Sequence, residues 1–221
     1  MKSGLLIKRL FDLIGGAALF VITSPVLLLA SAAVVLTIGR PVWFRQLRSG
    51  LNGKPFQIYK IRTMRGTPGG ESGSADDNRR LTRLGRLLRR TSIDELPQFW
   101  NVLRGEMSLV GPRPLLYKYV THYTALQARR LEAKPGITGW AQIEGRNGIT
   151  WEKRFELDVW YIEHRSVWLD LLILLRTPVT VSRMANISAP GEATIREFRS
   201  SSRTKETAVP VVAAPTSNSA D

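Results

Sequence analysis

Hydrophobic residues fall into two regimes along the chain. From Leu13 to Gly39, 27 consecutive residues carry no charge, more than the ~20 a membrane helix requires. Ser24 and Pro25 stand in the middle of this run. Proline there removes a backbone hydrogen bond and clashes with the preceding turn, so the pattern predicts a helix-break-helix. Each arm is then about 18–21 Å long at 1.5 Å per residue, enough to reach the bilayer centre but not to cross ~30 Å of hydrocarbon. A cleaved signal ending near Ala30, Ser31 and Ala32 is the weaker reading, because such signals carry only ~7–15 apolar residues and here apolar sequence resumes at Val34.

Beyond Arg40 the pattern becomes that of a water-facing domain. Two runs of β-type residues, Val42 to Arg48 and Pro55 to Thr63, flank Asn52-Gly53 and predict a hairpin. In the second strand Phe56, Ile58, Lys60 and Arg62 share one face, which projects two cations from its far end. Gly66 to Asn78 is rich in glycine, serine and aspartate and reads as a loop or lid. Arg79 to Arg90 holds six arginines, with leucines at 81, 84, 87 and 88, and predicts an amphipathic helix with a cationic polar side. Leu96, Trp100, Leu103 and Met107 recur at helical spacing and predict a core stripe. Helices are then expected over Leu115 to Glu132, Trp151 to Glu163 and Val167 to Met184. Between the first two, Pro135-Gly136 introduces an irregular or β segment through Gly148. The apolar centre of the last helix, Leu171 to Leu175, is too short to span and belongs in the interface or the core. From Ser200 the composition is that of a disordered tail. The fold class predicted is α+β: a small, mostly helical domain with a short β-hairpin, amphipathic interfacial helices and an N-terminal hydrophobic helix broken at Ser24-Pro25. The divisions are 1–40 for the membrane segment, 41–199 for a membrane-associated domain and 200–221 for the tail.

Composition narrows the chemistry. With 221 residues the chain holds one compact domain, and 32 Lys and Arg against 18 Asp and Glu give +14, which points to an anionic partner. The absence of cysteine excludes disulfides, thiol catalysis and Cys-ligated zinc. Lys2, Lys8 and Arg9 precede the apolar run and Arg40, Arg45, Arg48 and Lys54 follow it, so there is no Lys/Arg bias of the kind that orients a spanning helix. Re-entry into one leaflet and an ordinary kinked span both remain open on this ground. Nucleic acid is disfavoured as the partner because no helix-turn-helix, zinc-finger or RNP pattern accompanies the basic runs.

With only His122 and His164, no G-x-x-x-x-G-K and no D-x-D, the material for histidine, P-loop and D-x-D chemistry is missing. Acids remain. Ser92-Ile-Asp94-Glu95-Leu-Pro97 reads as a capping box at a helix start, a purely structural use. It also places two carboxylates where the helix dipole, Arg89 and Arg90 favour ionisation, so that one can act as a nucleophile or hold Mg²⁺. Arg113, set between Pro112 and Pro114, presents a guanidinium at low entropic cost, either to a phosphate or to a partner carboxylate. Asp158 occupies a position in the stripe Trp151, Phe155, Asp158, Ile162 where an apolar residue is expected. It is either the buried partner of an arginine or a site residue.

The N-terminal apolar segment with Ser24-Pro25, then Phe56-Gln-Ile-Tyr-Lys60-Ile-Arg62-Thr-Met64, Asp94-Glu95-Leu-Pro97-Gln-Phe-Trp-Asn-Val-Leu, Ser108-Leu-Val-Gly-Pro-Arg113-Pro, Lys134-Pro-Gly-Ile-Thr-Gly-Trp-Ala-Gln142 and Asp158-Val-Trp-Tyr together resemble the bacterial sugar transferases. These are the monotopic phosphoglycosyl transferases that begin assembly of lipid-linked glycans. The resemblance runs from about residue 5 to 185, in motif order, and corresponds to the short form without an N-terminal multispan region. It implies transfer of a sugar-1-phosphate from a UDP-sugar to undecaprenyl phosphate, with release of UMP and a requirement for Mg²⁺. By the same resemblance Asp94 is the covalent nucleophile and a metal ligand, Glu95 its partner and Asp158 a further active-site acid. Lys60, Arg62, Arg89 and Arg113 become phosphate or substrate contacts.

The resemblance further implies a re-entrant helix broken at Ser24-Pro25, with both termini on the cytoplasmic side of a bacterial inner membrane. The expected partners are therefore the UDP-sugar, undecaprenyl phosphate and an anionic bilayer, without nucleic acid and with homodimerisation left open. The alternative from another class is a non-catalytic basic membrane adaptor, which has no use for an Asp-Glu pair in a basic site.

Overall fold

The structure, a computed structural model, describes residues 2–66, 77–145, 148–182 and 198. It is mostly helical with two small sheets. Helix α1 covers Lys2–Thr37 and contains Pro25 within it, where a break between two helices was expected. Proline has no N–H for the carbonyl four residues earlier, which is that of Val21. The Ser24 hydroxyl supplies the replacement, donating to Val21 O at 2.8 Å, and Thr23 donates to Leu19 O at 2.7 Å. The Ser-Pro pair thus keeps a carbonyl satisfied in a segment whose other surroundings are apolar.

The rest of the protein covers one face of α1 at two places, one on each side of Pro25. Asp12, Gly16, Leu27, Ala30 and Val34 are buried at helical spacing, while Leu6, Ile14, Ile22, Leu29 and Leu36 on other faces are exposed. A β-carbon at Gly16 would lie 3.1 Å from Val102, so this glycine permits the close approach. The N-terminal arm is fixed by buried polar contacts. Lys8 bridges Asp12 at 3.0 Å and Asp170 at 2.7 Å, Asp12 accepts from Ser108 Oγ and Leu109 N, and Tyr161 donates to Asp170 at 2.7 Å. Arg9 donates to the carbonyls of Val102 and Leu103, complementing the negative end of the helix that carries them.

Strands β1 (Trp43–Ser49) and β2 (Pro55–Ile61) form the expected antiparallel hairpin, with Trp43 opposite Ile61 and Ser49 opposite Pro55. Its turn uses left-handed Asn52 (φ 55°) and Gly53 (φ 74°), as the Asn-Gly signal requires. Helices α2 (Asp77–Arg80) and α3 (Arg83–Arg90) replace the single cationic helix. The run is divided because Leu81 bridges to Met64 and Thr82 turns to cap Gly85 N, with Gly85 packed on the Thr63 backbone. Helix α4 (Gln98–Arg104) stops at left-handed Gly105, so Met107 lies beyond it. Phe99, Asn101 and Val102 are buried, whereas Trp100 is exposed, which shifts the core stripe by one position from the one expected.

Strands β3 (Ser108–Val110) and β4 (Gly136–Thr138) pair in parallel. Leu115 to Glu132 is not one helix. It is a 3₁₀ turn (Tyr117–His122), the short helix α5 (Ala125–Ala128) and a second 3₁₀ turn (Arg129–Glu132). Thr124 and Gln127 form a reciprocal capping box that restarts the chain after extended Tyr123, which ends any continuous helix.

Helices α6 (Trp140–Gly145), α7 (Trp151–His164) and α8 (Val167–Ser182) complete the order. On α8, Asp170 and Ile173 face inward while Trp168, Leu172, Leu175 and Val179 are exposed, so the helix both packs and presents an apolar surface. The tail from Ser200 lies outside the described residues, as does the loop expected before Asp77. Asp77 and Asn78, placed in that loop, are helical.

Candidate active site

Asp94 and Glu95 lie on a 3₁₀ turn (Ile93–Glu95) rather than in the first turn of an α-helix, since α4 begins only after Pro97. Ser92 does not cap this turn. Its backbone is left-handed (φ 58°, ψ 18°) and its side chain makes no capping bond, so the capping-box reading is replaced by a strained entry that aims the two acids differently. The turn is held against β2 through Asn101, fully buried on α4, which accepts from Tyr59 N and donates to Gln57 O. These bonds place Lys60, two residues beyond the buried Ile58 on the same face of β2, beside Glu95.

Glu95 is clamped. Lys60 Nζ lies 2.7 Å from Oε1, and Arg113 donates to Oε1 at 2.6 Å and to Oε2 at 3.4 Å. Burial alone would raise the Glu95 pKa, but Arg113 and Lys60, through charge and hydrogen bonds, outweigh it and hold the carboxyl well below the usual range. Asp94 is 7% exposed and accepts no hydrogen bond and forms no ion pair among the described residues. Burial pushes its pKa up to about 6, opposed by Lys60, Arg89 and Arg113 and reinforced by Glu95. The expectation that the surroundings favour ionisation is therefore reversed for Asp94, because desolvation outweighs the nearby cations.

Both acids line a cavity of about 800 Å³, within the range of small-molecule sites. Lys60, Arg62, Arg89 and Arg113 line it too, so the sequence-derived cations are brought together. These cationic groups are already engaged in part. Arg62 donates to Met64 O and Arg40 O, and Arg89 donates to Thr63 Oγ1 at 3.0 Å. Ser24 and Pro25 are not part of the lining.

Asp158 does not line the cavity. It accepts from Arg130 Nε at 3.0 Å and Nη2 at 2.8 Å, with both residues 2% exposed. Arg130 Nη2 also donates to Arg113 O at 2.7 Å. Of the two readings open for Asp158, the geometry is that of a buried partner of an arginine, and that arginine also holds the Arg113 carbonyl.

Among the other lining residues, Arg48, Arg154 and Gln142 were given no site role from the sequence. Arg48 and Arg154 each have a pKa lowered to about 10, first by burial and then by Arg113. Arg154 stands four residues before Asp158 on α7, and that helical spacing was the available signal. Arg48 carried none, and Gln142 was visible only as the last residue of the motif that begins at Lys134.

Among the described residues no three His, Asp or Glu converge. Asp94 and Glu95 are the acids in the cavity lining, and Glu95 is taken by two cations. One free carboxylate facing a cavity suits Mg²⁺ in its usual mode, where one or two carboxylates and substrate phosphates share the ion.

A family model described as bacterial sugar transferase matches residues 3–184. The chain is 52% identical over 197 residues to the uncharacterized sugar transferase EpsL of Bacillus subtilis, covering 89% of this chain and 98% of that protein. It is 46% identical over 182 residues to the UDP-glucose:undecaprenyl-phosphate glucose-1-phosphate transferase of Caulobacter vibrioides, covering 77% of this chain and 67% of that one. An Escherichia coli protein of the same description is 43% identical over 182 residues, but the matched segment is only 39% of its length.

Proposed function

Because the chain belongs to the bacterial sugar transferase family, whose members are sugar-1-phosphate transferases, we propose that it transfers a sugar-1-phosphate from a UDP-sugar to undecaprenyl phosphate, releasing UMP, in the membrane step that begins surface-glycan assembly. The observation that carries this reading is the asymmetry of the acid pair. Glu95 is neutralised by Lys60 and Arg113, while Asp94 faces the cavity without a partner.

An oxygen of Asp94 attacks the β-phosphorus, an O–P bond to the carboxylate forms, and the bond to UMP breaks. A phosphate oxygen of the lipid then attacks the same phosphorus, the diphosphate forms, and the Asp94 carboxylate is released. Lys60 and Arg113, ordered by Glu95, supply positive charge beside the phosphates. When bound by Asp94 and the donor's diphosphate, Mg²⁺ would neutralise charge on the leaving UMP. Membranes containing the protein, given undecaprenyl phosphate and a panel of UDP-sugars, should release UMP with at least one of them. Release with none overturns the reading.

The pH dependence has a defined sign. Asp94 must be ionised to attack, and its pKa is about 6, so the rate of UMP release should hold above pH 7 and fall as the pH drops through about 6. Undecaprenyl phosphate also titrates near pH ~6, so the measurement uses donor alone in a single turnover. A rate flat from pH 8 to pH 5 would show that the reacting group is not this carboxylate.

We further propose that α1 enters and leaves the same leaflet. Burial on both sides of Pro25, at Asp12 and Gly16 and again at Leu27, Ala30 and Val34, supports this, because a straight span would carry some 20 residues away from a domain resting on one side of the bilayer. The chain contains no cysteine, so Ser3→Cys and Lys54→Cys each report one side of α1. Both should resist an impermeant thiol reagent in intact cells and react after permeabilisation. Labelling of position 3 from outside would demonstrate a span.

A further inference from the structure

The cations around Asp94 account for phosphates, but one wall of the same cavity is neutral. It is formed by Ile137 and Thr138 on β4 and by Ala141, Gln142 and Ile143 on α6. Both polar atoms of the Gln142 amide are buried and neither has a hydrogen-bond partner. Its neighbours are not short of partners. Thr138 and Thr177 pair their hydroxyls at 2.8 Å, and Thr177 donates to Ile173 O. A buried carboxamide lacking both a donor and an acceptor bond is costly.

The backbone is built to keep the amide there. A β-carbon at Gly139 would collide with Gly111 O and stand 2.8 Å from Gln142 Oε1. Because this glycine lets β4 approach the segment leading to Arg113, Gln142 and the catalytic cations line one cavity.

We propose that Gln142 recognises the uracil of the nucleotide donor, its Nε2 donating to a ring carbonyl and its Oε1 accepting from the N3–H. The inference rests on the UDP-sugar reading above. A phosphate offers acceptors only, so it cannot satisfy both atoms. The imide edge of uracil presents a donor and an acceptor side by side in one plane, which matches a carboxamide with two parallel bonds. The uncharged neighbours of Gln142 in the lining, Ile137, Thr138, Ala141 and Ile143, suit a neutral pyrimidine that stays chemically unchanged through the transfer. Cytosine presents the reverse pattern, which a flipped amide accepts equally well, so comparison of UMP with CMP does not probe this contact.

The test uses the full-length protein in membranes or lipid nanoparticles and measures binding of UMP and of its N3-methyl analogue, which has no imide N–H. Wild type should bind UMP about tenfold or more tightly than the analogue, as expected for a site that hydrogen-bonds its ligand. Gln142→Leu removes both amide groups without leaving a buried polar atom. It should bind the two ligands equally and weakly, with an unchanged KM for undecaprenyl phosphate. Equal binding of both ligands by wild type overturns the proposal, as does persistence of the preference in Gln142→Leu. If the preference is present and lost as expected but no UDP-sugar is turned over, the assigned reaction fails while the uracil contact stands. If turnover is normal and the preference is absent, the contact alone fails.

Discussion

Asp94→Asn should eliminate UMP release, to below about a thousandth of wild type, while leaving a protein that resists heat at least as well. The two outcomes have one cause. Asp94 is buried with its pKa raised to about 6 from an ordinary 3.8. The folded state therefore binds the proton more tightly than the unfolded chain does. At pH 7 the ionised carboxylate costs stability, and this cost disappears as the pH falls below the unfolded value near 4. Asparagine keeps the shape and removes the charge, so its stabilisation should be largest at neutral pH and should vanish in acid.

The proposed attack needs that same charge, since an amide is not a nucleophile toward phosphorus. Wild type given donor alone should release one equivalent of UMP and gain the mass of a sugar phosphate on the peptide that contains Asp94. The adduct should discharge when undecaprenyl phosphate is added. The variant should show neither event. Release of UMP only when both substrates are present, with no adduct trapped, would reassign Asp94 to binding metal in a direct displacement.

Asp158→Ala should destabilise the fold by ~3–5 kcal/mol, the usual result of stranding one member of a buried ion pair. For a chain of this size that corresponds to a fall of roughly 10 °C in the unfolding midpoint. Arg130 would keep its bond to Arg113 O and its 3.4 Å contact with the Tyr123 hydroxyl, but its charge would be uncompensated at 2% exposure. Combining Asp158→Leu with Arg130→Met removes both charges and should recover most of the stability. The double variant should still release UMP, more slowly because the Arg113 carbonyl has lost its donor, and with the acid limb near pH 6 unmoved, since Asp94 sets it. A stable double variant with no turnover, or a shifted limb, would place Asp158 among the reacting groups instead.

How much of this was legible differs from element to element. The apolar run of α1, the hairpin around Asn52-Gly53 and helices α7 and α8 were legible because each follows from a local period or turn preference. Asp158 stood out by the same means, since a carboxylate in an apolar stripe is visible without knowing its partner. Leu115 to Glu132 failed because aromatic and aliphatic residues at helical spacing do not reveal that Thr124 and Gln127 cap a new start. The division of Arg79 to Arg90 failed because Leu81 and Thr82 are held by residues 63 and 64 of another segment. Gln142 ends a recognisable motif, but its unpartnered amide had no local signal, since an unmet hydrogen bond appears only when every neighbour is in place.

The sequence by itself determined that Asp94 and Glu95 are adjacent acids among cations behind a hydrophobic helix, and with the wider motif set it determined the family. The resemblance assigns the two acids different roles, but nothing in their local sequence gives a physical reason, since they share one short turn. Only the tertiary structure supplies that reason, by bringing Lys60 from 35 residues away and Arg113 from 18 onto Glu95, and Arg130 onto Asp158 across 28. Side-chain charge is written in the chain. Which charges meet, and which carboxylate is left buried and unpaired in the cavity, depends on contacts between distant segments and on the desolvation they impose.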